Sequence, residues 1–204
     1  MAQKESAFRY NKSMNIFVLD ESPVVSARYL HNDHVVKMIL ESTQMLCSAH
    51  RVIDGQQEVV YHNYGKLSKS RRVSRWRLPD DREDRLYKAT HTNHPCNIWV
   101  RENTSNYQWL LTHTVSLIRE YKLRYGKVHK SSSLLPLLST PPRGLPTGNL
   151  SSFPLAMPEK YRTDNPVESY RRYYVGEKLY PRGRKASWKN RSTPFWIGES
   201  LDNF

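Results

Sequence analysis

Residues 32–50 read NDHVVKMILESTQMLCSAH and predict one helix at the centre of the chain. Asp33 is expected to be its N-cap, because a carboxylate there accepts backbone N–H groups of the first turn. Apolar residues then recur with the period of a helix and give it a broad apolar surface: Val35, Val36, Ile39, Leu40, Leu46 and Ala49. We therefore expect the rest of the chain to pack around this helix.

The other face of this helix carries a polar stripe. His34, Lys37, Glu41, Gln44 and Ser48 are spaced so that they share one side of a helix. Lys37 and Glu41 are four residues apart and can touch. One interpretation is a solvated face; the other is an acid–base group that faces a substrate cleft. The second interpretation makes Glu41, His34 and Lys37 the candidate catalytic residues.

The signals along the chain predict a mainly α fold, a single helical domain with a short N-terminal strand and long ordered loops. Residues 14–19 are apolar and predict a buried strand or extended segment. Further helices are expected from Pro23 to about residue 30, from Pro95, from about residue 107 to Gly126, and from about Pro166 to residue 175. Residues 131–160 are rich in Ser, Pro and Leu and predict either a long ordered loop packed by its leucines or a linker.

Length and charge limit the organisation and the partners. A chain of 204 residues is expected to form one domain over 14–191, with a polar extension at 1–13 and a C-terminal tail at 192–204. Its 32 Lys and Arg against 19 Asp and Glu give a net charge of +13. This charge favours a polyanionic partner, with nucleic acid, DNA in particular, as the leading candidate over a basic protein without such a partner.

Two stretches combine cations with aromatic residues. Residues 66–77, the first cationic segment, lack a helix or strand pattern and predict a mobile loop, either merely solvated or lying along a phosphate backbone; residues 182–191 are the second cationic segment. Trp76, Trp99 or Trp188 would stack on an extruded base. The residues expected to contact nucleic acid are Lys66, Lys69, Arg71, Arg72, Arg75, Trp76, Arg77, His91, His94, Arg101, Arg184, Lys185, Trp188, Lys189 and Arg191.

Other function classes lose support from what the sequence lacks. It has no P-loop, no dinucleotide-binding GxGxxG, no GxSxG and no HExxH. Cys47 and Cys96 form no CxxC pair, and His91 and His94 have no further ligands at a recognisable spacing, so no metal or other cofactor is expected. No apolar run approaches the roughly 20 residues that cross a bilayer, and no signal peptide is evident. We expect a protein of a reducing cytoplasm and no membrane partner.

Short stretches of the sequence resemble two known families. MNIFVLD, DHVVKMILE, YKATHTNHPC and NYQWL resemble a set of bacteriophage proteins that begin near Met14. This resemblance spans most of residues 14–191. It implies that residues 1–13 are an appendage and that the protein acts in the cytoplasm of an infected bacterial host.

The helix from Asp33 to Glu41 also resembles the N-terminal helix of the pyrimidine-dimer DNA glycosylases of the endonuclease V type. That family has a His, six intervening residues and a catalytic Glu, positions held here by His34 and Glu41, and the segment Tyr121 to Gly126 is similar to a later part of its pattern. The family attacks the sugar with an amine at the very N-terminus of the chain. Here a polar extension precedes Met14, so the sequence departs from the family at that point.

Three hypotheses about function follow. The first is a glycosylase-like or lyase-like phage enzyme that processes a modified or damaged pyrimidine in DNA. In it Glu41 would stabilise the cationic sugar or act as general acid/base, and His34 would orient it or bind phosphate. Lys37 would be the nucleophile if burial makes its amine neutral. The second is a transferase that hypermodifies pyrimidines in phage DNA. The third is a nucleic-acid-binding protein without chemistry.

Overall fold

The architecture is built on two long helices that pack against each other, α2 (Asn32–Asp54) and α5 (Thr104–Tyr125). The computed structural model describes residues 14–62 and 71–199. Over these ranges the chain forms eight α-helices and one two-stranded antiparallel sheet, which confirms the predicted mainly α fold. The other helices are α1 (Pro23–Tyr29), α3 (Arg82–Arg85), α4 (Pro95–Val100), α6 (Leu135–Leu138), α7 (Pro166–Lys178) and α8 (Trp196–Glu199). Short 3₁₀ turns cover Lys130–Leu134, Glu159–Tyr161 and Pro181–Gly183.

The N-cap of helix α2 lies two residues earlier than the sequence indicates. The N-cap is His31, whose Nδ1 accepts the backbone N–H of His34 at 3.4 Å. The prediction of Asp33 as the cap is wrong, because Asp33 already lies in the first helical turn. The helix ends at Gly55, where a Cβ would lie 2.3 Å from the backbone oxygen of Arg51, so only glycine fits there.

Helix α5 forms as its flanking residues predict. The side chain of Asn103 accepts the backbone N–H of Asn106 at 3.0 Å and caps the start. At the other end Gly126 adopts φ +67°, the left-handed conformation that commonly closes a helix. Tyr107, Leu110 and Leu117 face the core and are fully buried.

A β-hairpin follows α2 and replaces the predicted mobile loop. Strand β1 (Gln56–His62) pairs antiparallel with β2 (Arg71–Arg77), with Gln56 opposite Arg77 and His62 opposite Arg71. The loop prediction is therefore wrong for residues 71–77, while residues 66–70 lie outside the described ranges. The cation-rich sequence of β2 does not by itself indicate a strand, and β2 forms because it pairs with β1.

Residues 14–19 are buried but pair with no strand within the described part of the chain. The predicted short N-terminal strand is thus wrong, and Phe17, with φ +53°, also departs from the alternative of an extended segment. The reason is local, since side chains take the backbone donors that a neighbouring strand would otherwise bind. Asn15 Oδ1 accepts the N–H groups of Ile16 and Phe17, and Ser26 Oγ accepts that of Leu19.

The C-terminal half packs onto this helical frame. Leu134, Leu138 and Leu145 are buried, so the leucine-rich stretch 131–160 is an ordered part of the domain rather than a linker. Trp196, which falls in the stretch 192–204 predicted to be a tail, is 4 % exposed and packs edge-on against Tyr29. Among the described ranges no helix combines the length and the apolar character that crossing a membrane requires.

Candidate active site

Glu41 lies midway along α2, between an amine and a backbone N–H. Its Oε1 is 3.0 Å from Lys37 Nζ, and its Oε2 accepts the backbone N–H of Asn15 at 3.3 Å. The side chain of Glu41 is 13 % exposed, whereas that of Lys37 is 50 % exposed. The carboxylate therefore sits at the edge of the protein, partly withdrawn from water but still reachable.

The N-terminal segment, residues 14–19, places the backbone nitrogen of Asn15 beside this carboxylate. Asn15 Oδ1 accepts the N–H of Ile16 at 2.7 Å and that of Phe17 at 3.2 Å, while Asn15 Nδ2 donates to the carbonyl of Ala156 at 2.9 Å. Phe17 has φ +53°, a left-handed conformation that a bulky aromatic residue rarely adopts. The side chain of Asn15 thus fixes the turn that brings its own backbone nitrogen to Glu41.

His34 lies on the same face of α2, two turns before Glu41. Its ring stacks on Phe17 with centroids 4.6 Å apart and on His31 with centroids 4.0 Å apart. Burial lowers the pKa of His34 well below its usual value, and the neighbouring His31, Lys37 and Lys178 lower it further. His34 is therefore neutral near pH 7, which suits packing and orientation and does not suit a cationic phosphate contact.

Helix α7 adds a second amine that the sequence did not single out. Lys178 Nζ lies 4.5 Å from the centroid of the Tyr173 ring, and that ring stacks on Phe17 with centroids 6.1 Å apart. Burial lowers the pKa of Lys178, Glu177 opposes that shift and Lys37 adds to it. The last turn of α7 therefore packs over the N-terminal segment and brings Lys178 within electrostatic range of Lys37. No local sequence pattern indicates that Lys178 lies near Lys37, because its position depends on how α7 packs against the rest of the chain.

The second cationic segment crosses the N-terminal end of α2, and only part of it is available to a ligand. Arg184 and Lys185 are exposed. Trp188 is 9 % exposed and its Nε1 donates to a backbone oxygen at the end of α1 at 2.8 Å, so its ring is core and does not stack on a base. Arg191 binds both carboxylate oxygens of the buried Glu120, at 2.6 Å and 3.1 Å. The burial of Trp188 leaves its ring no open face for a base, whereas a nucleic-acid contact by Arg191, whose side chain is 35 % exposed, stays a prediction.

The described part of the first cationic segment, residues 71–77, lies at the other end of α2, in strand β2. Arg75 is exposed, Trp76 is half-buried, and Arg77 Nε lies 2.8 Å from a carboxylate oxygen of Glu58 across the hairpin. The buried Arg51 of α2 donates to the carbonyl of Trp76 at 3.0 Å and ties the hairpin to the helix. Arg71 and Arg72 lie in β2, and Lys66 and Lys69 lie outside the described residues.

The described parts of the two cationic segments do not meet around Glu41. With 23 residues, α2 is about 34 Å long. Glu41 lies about 14 Å along the axis from the first residue of the helix and about 20 Å from the last. The carboxylate is thus placed between two cationic ends rather than inside one cationic cleft.

The residues predicted around Pro95 are largely structural. His94 caps α4 by accepting the N–H of Cys96 at 3.2 Å, and Arg101 donates to the carbonyl of Thr92 at 2.5 Å. Trp99 is 2 % exposed and lies in the core, so it too does not stack on a base. His91 is exposed. No group of three or more His, Cys, Asp or Glu side chains that could hold a metal ion occurs in the described parts of the chain.

Comparison with known proteins places this chain in a family. The family model described as pyrimidine dimer DNA glycosylase matches residues 14–133, a range that contains the N-terminal segment, His34, Lys37 and Glu41. Comparisons with curated proteins and with solved structures give no significant match. Helix α7 and the second cationic segment lie beyond the matched range. Because the match spans more than half of the 204 residues, the chain belongs to the pyrimidine dimer DNA glycosylase family.

Proposed function

We propose that the protein releases a modified or damaged pyrimidine base from DNA, with Glu41 as the catalytic carboxylate. Family membership supports a glycosylase-like, DNA-processing role. The observation that carries the finer proposal is the position of Glu41, partly buried and within hydrogen-bond reach of both Lys37 Nζ and the Asn15 nitrogen. A carboxylate held beside a nitrogen nucleophile can accept its proton and then stabilise the positive charge that develops on the sugar.

The reaction needs a neutral amine. The neutral amine attacks C1′ of the deoxyribose as the bond from C1′ to the base nitrogen breaks. The base leaves with the bonding electrons and takes a proton from solvent. The attached nitrogen, now an ammonium, loses one proton to Glu41. Glu41 passes that proton to O4′ as the C1′–O4′ bond breaks, which gives a protonated imine between the protein nitrogen and C1′. Water hydrolyses this imine and returns the free amine and an abasic sugar.

Two nitrogens compete for the role of nucleophile. Lys37 was predicted for it on condition of burial, but its side chain is 50 % exposed and its Nζ is paired with Glu41. The Asn15 nitrogen is an amide in the full chain, but it would be a primary α-amine in a chain that starts at Asn15. An α-amine has a pKa of about 7.7–8.0 against about 10.4 for a lysine in water, so a far larger fraction is neutral at pH 7.5. We propose that the active form begins at Asn15 and uses this amine.

The test compares the full chain with a chain released at Asn15 from a cleavable fusion. Both are incubated with duplex DNA that contains a cyclobutane thymine dimer and are trapped with borohydride, which reduces the imine to a stable adduct. We expect the Asn15-start chain to give an adduct and released base, Glu41→Gln to lose both, and Lys37→Gln to keep the adduct. Glu159→Gln, a change at an exposed carboxylate on a 3₁₀ turn, is the matched control.

Each other result has a definite meaning. An adduct formed equally by the full chain and lost in Lys37→Gln assigns the amine to Lys37 and refutes the role of Asn15. A heavier nucleoside in the digested DNA, detected by mass spectrometry, replaces base release with group transfer. Binding that survives the joint replacement of His34, Lys37 and Glu41, with no product of either kind from any folded form, leaves a binding protein only.

The placement of cations along α2 supports a duplex as the substrate. Arg75 at one end and Arg184 and Lys185 at the other are exposed. The length of the helix between them, about 34 Å, is close to one turn of B-form DNA. A duplex lying along α2 would contact both ends and pass Glu41 between them.

A further inference from the structure

A cavity of about 250 Å³ lies at the N-terminal end of α2, separate from the carboxylate of Glu41. The start of α2 contributes His31 and Asp33, the end of α5 contributes Tyr125, and the second cationic segment contributes Arg184 and Lys185. The last two residues lie beyond the part of the chain that matches the family model. The cavity is therefore a feature that the family match does not cover.

We infer that this cavity holds one phosphodiester group of the nucleic-acid backbone, bound by Arg184, Lys185 and the ring N–H of His31. The inference rests on the proposed function for the identity of the polymer. It adds a contact that would fix the register of the strand relative to Glu41, because a phosphate held at the first residue of α2 positions the nucleotides that follow it.

The strongest observation is the state of His31, which is 1 % exposed. Its Nδ1 accepts the backbone N–H of His34 at 3.4 Å. Burial lowers the pKa of His31 to about 4, although Asp33 raises it in part, so the ring is neutral near pH 7. A neutral ring whose Nδ1 is an acceptor carries its proton on Nε2. That buried Nε2 has no hydrogen-bond partner among the described residues, so a donor is left beside the cavity without an acceptor.

The wall of the cavity is fixed before any ligand arrives. The backbone N–H of Asn32 donates to the carbonyl of Ser187 at 2.9 Å, and Asn32 Nδ2 donates to Ser187 Oγ at 2.9 Å. The N–H of Lys189 donates to Asn32 Oδ1 at 3.0 Å. These bonds already use donors of the first turn of α2, so binding depends on His31 and the two cations rather than on the helix terminus.

The charge of the lining selects the kind of phosphate. Arg184 and Lys185 contribute two positive charges and Asp33 one negative charge, which leaves a net charge of +1 with His31 neutral. A phosphodiester carries one negative charge and matches this balance. Inorganic phosphate carries more negative charge at neutral pH, so binding it would leave an excess negative charge beside Asp33.

The test measures the affinity for duplex DNA as a function of salt. Each phosphate contact contributes about 0.9 to the slope of log K against log salt. We expect the double variant Arg184→Gln/Lys185→Gln to lower the slope by about 0.9, and Arg119→Gln/Lys122→Gln, which removes the same charge from exposed positions on α5, to leave it unchanged. His31→Asn keeps an acceptor for the helix cap but removes the Nε2 donor, and we expect about tenfold weaker binding with the same slope. Equal slopes in wild type and Arg184→Gln/Lys185→Gln would overturn the inference.

A second measurement separates failure of this site from failure of the proposed function. The ring N–H signal of His31 is followed by NMR, assigned through His31→Asn, while the dinucleotide thymidylyl-thymidine, inorganic phosphate or thymidine is added. A shift with the dinucleotide that exceeds the shift with inorganic phosphate supports the site even if no base is released from DNA. A shift with thymidine alone, or with none of the three, refutes it even if base release occurs.

Discussion

Removal of the Asn15 side chain should separate the positioning of the Asn15 backbone nitrogen from the chemistry proposed for it. Asn15→Ala deletes the bonds to the N–H groups of Ile16 and Phe17 and the bond to the carbonyl of Ala156. The two N–H groups belong to residues that are 0 % and 4 % exposed, so water cannot replace the lost acceptor without the segment moving. At about 1 kcal/mol for each of the three bonds, we expect a loss of about 3 kcal/mol in the free energy of unfolding, measured in urea.

The larger effect should be on the reaction. Without its turn, the Asn15 nitrogen is no longer held 3.3 Å from Glu41 Oε2. A displacement of about 1 Å at a reacting centre costs on the order of a hundredfold in rate. In the chain that starts at residue 15, we therefore expect Asn15→Ala to lower the single-turnover rate of base release about a hundredfold. The rate is measured under conditions in which all of the variant is folded.

Two controls make this result interpretable. Asn149→Ala removes an amide from an exposed position and should change neither stability nor rate. Asn15→Asp keeps the acceptor for Ile16 and Phe17 but loses the donor to Ala156, so its stability should fall by only about 1 kcal/mol. If Asn15→Ala reacts at the wild-type rate while folded, the side chain does not position the nitrogen, and the assignment of that nitrogen as nucleophile fails.

Three further predictions follow from the described contacts. Arg51→Met should cost about 3–5 kcal/mol in urea unfolding, because the fully buried guanidinium pairs with Glu83 and binds several carbonyls; a loss below about 1 kcal/mol would contradict this role. Burial lowers the pKa of His113 to about 3, so between pH 6.5 and 3 the unfolded chain binds a proton that the folded chain does not. The free energy of unfolding therefore falls as the pH is lowered through this range. His113→Phe should therefore flatten the dependence of stability on pH between 6 and 4, by up to about 1.4 kcal/mol per pH unit. Lys178→Gln removes a charge that lowers the pKa of His34, so that pKa should rise in an NMR titration, and an unchanged value would place Lys178 farther away.

The elements that the sequence predicted well are those whose signals are local. Pro23 opens α1, Gly126 closes α5, and the 3.6-residue period defines α2. The contact of Lys37 with Glu41 is of the same kind, since four residues on a helix always bring two side chains together. In each case a few neighbouring residues determine the outcome, whatever the rest of the chain does.

The residues that sequence analysis misjudged depend on distant partners. A Trp or Arg among cations suggests a nucleic-acid contact, but Trp188 lies in the core, where α1 offers its Nε1 an acceptor, and Arg191 pairs with Glu120 of α5. The same composition is compatible with both uses. Only the packing of the segment against α1 and α5 decides which side chains stay free for a ligand, and Arg184 and Lys185 remain exposed.

The matched range 14–133 does not contain everything that holds the candidate site together. The nitrogen of Asn15 is oriented through a bond to Ala156, and Phe17, which has the left-handed backbone, stacks on Tyr173. Lys178, which shifts the pKa of His34, comes from the same helix as Tyr173. Residues 14–133 thus contain the groups proposed to react, whereas the segment at 156 and helix α7 set their orientation and electrostatics. It follows that the environment of Glu41 is a property of the whole described chain, and that a change confined to α7 can alter it without touching the carboxylate.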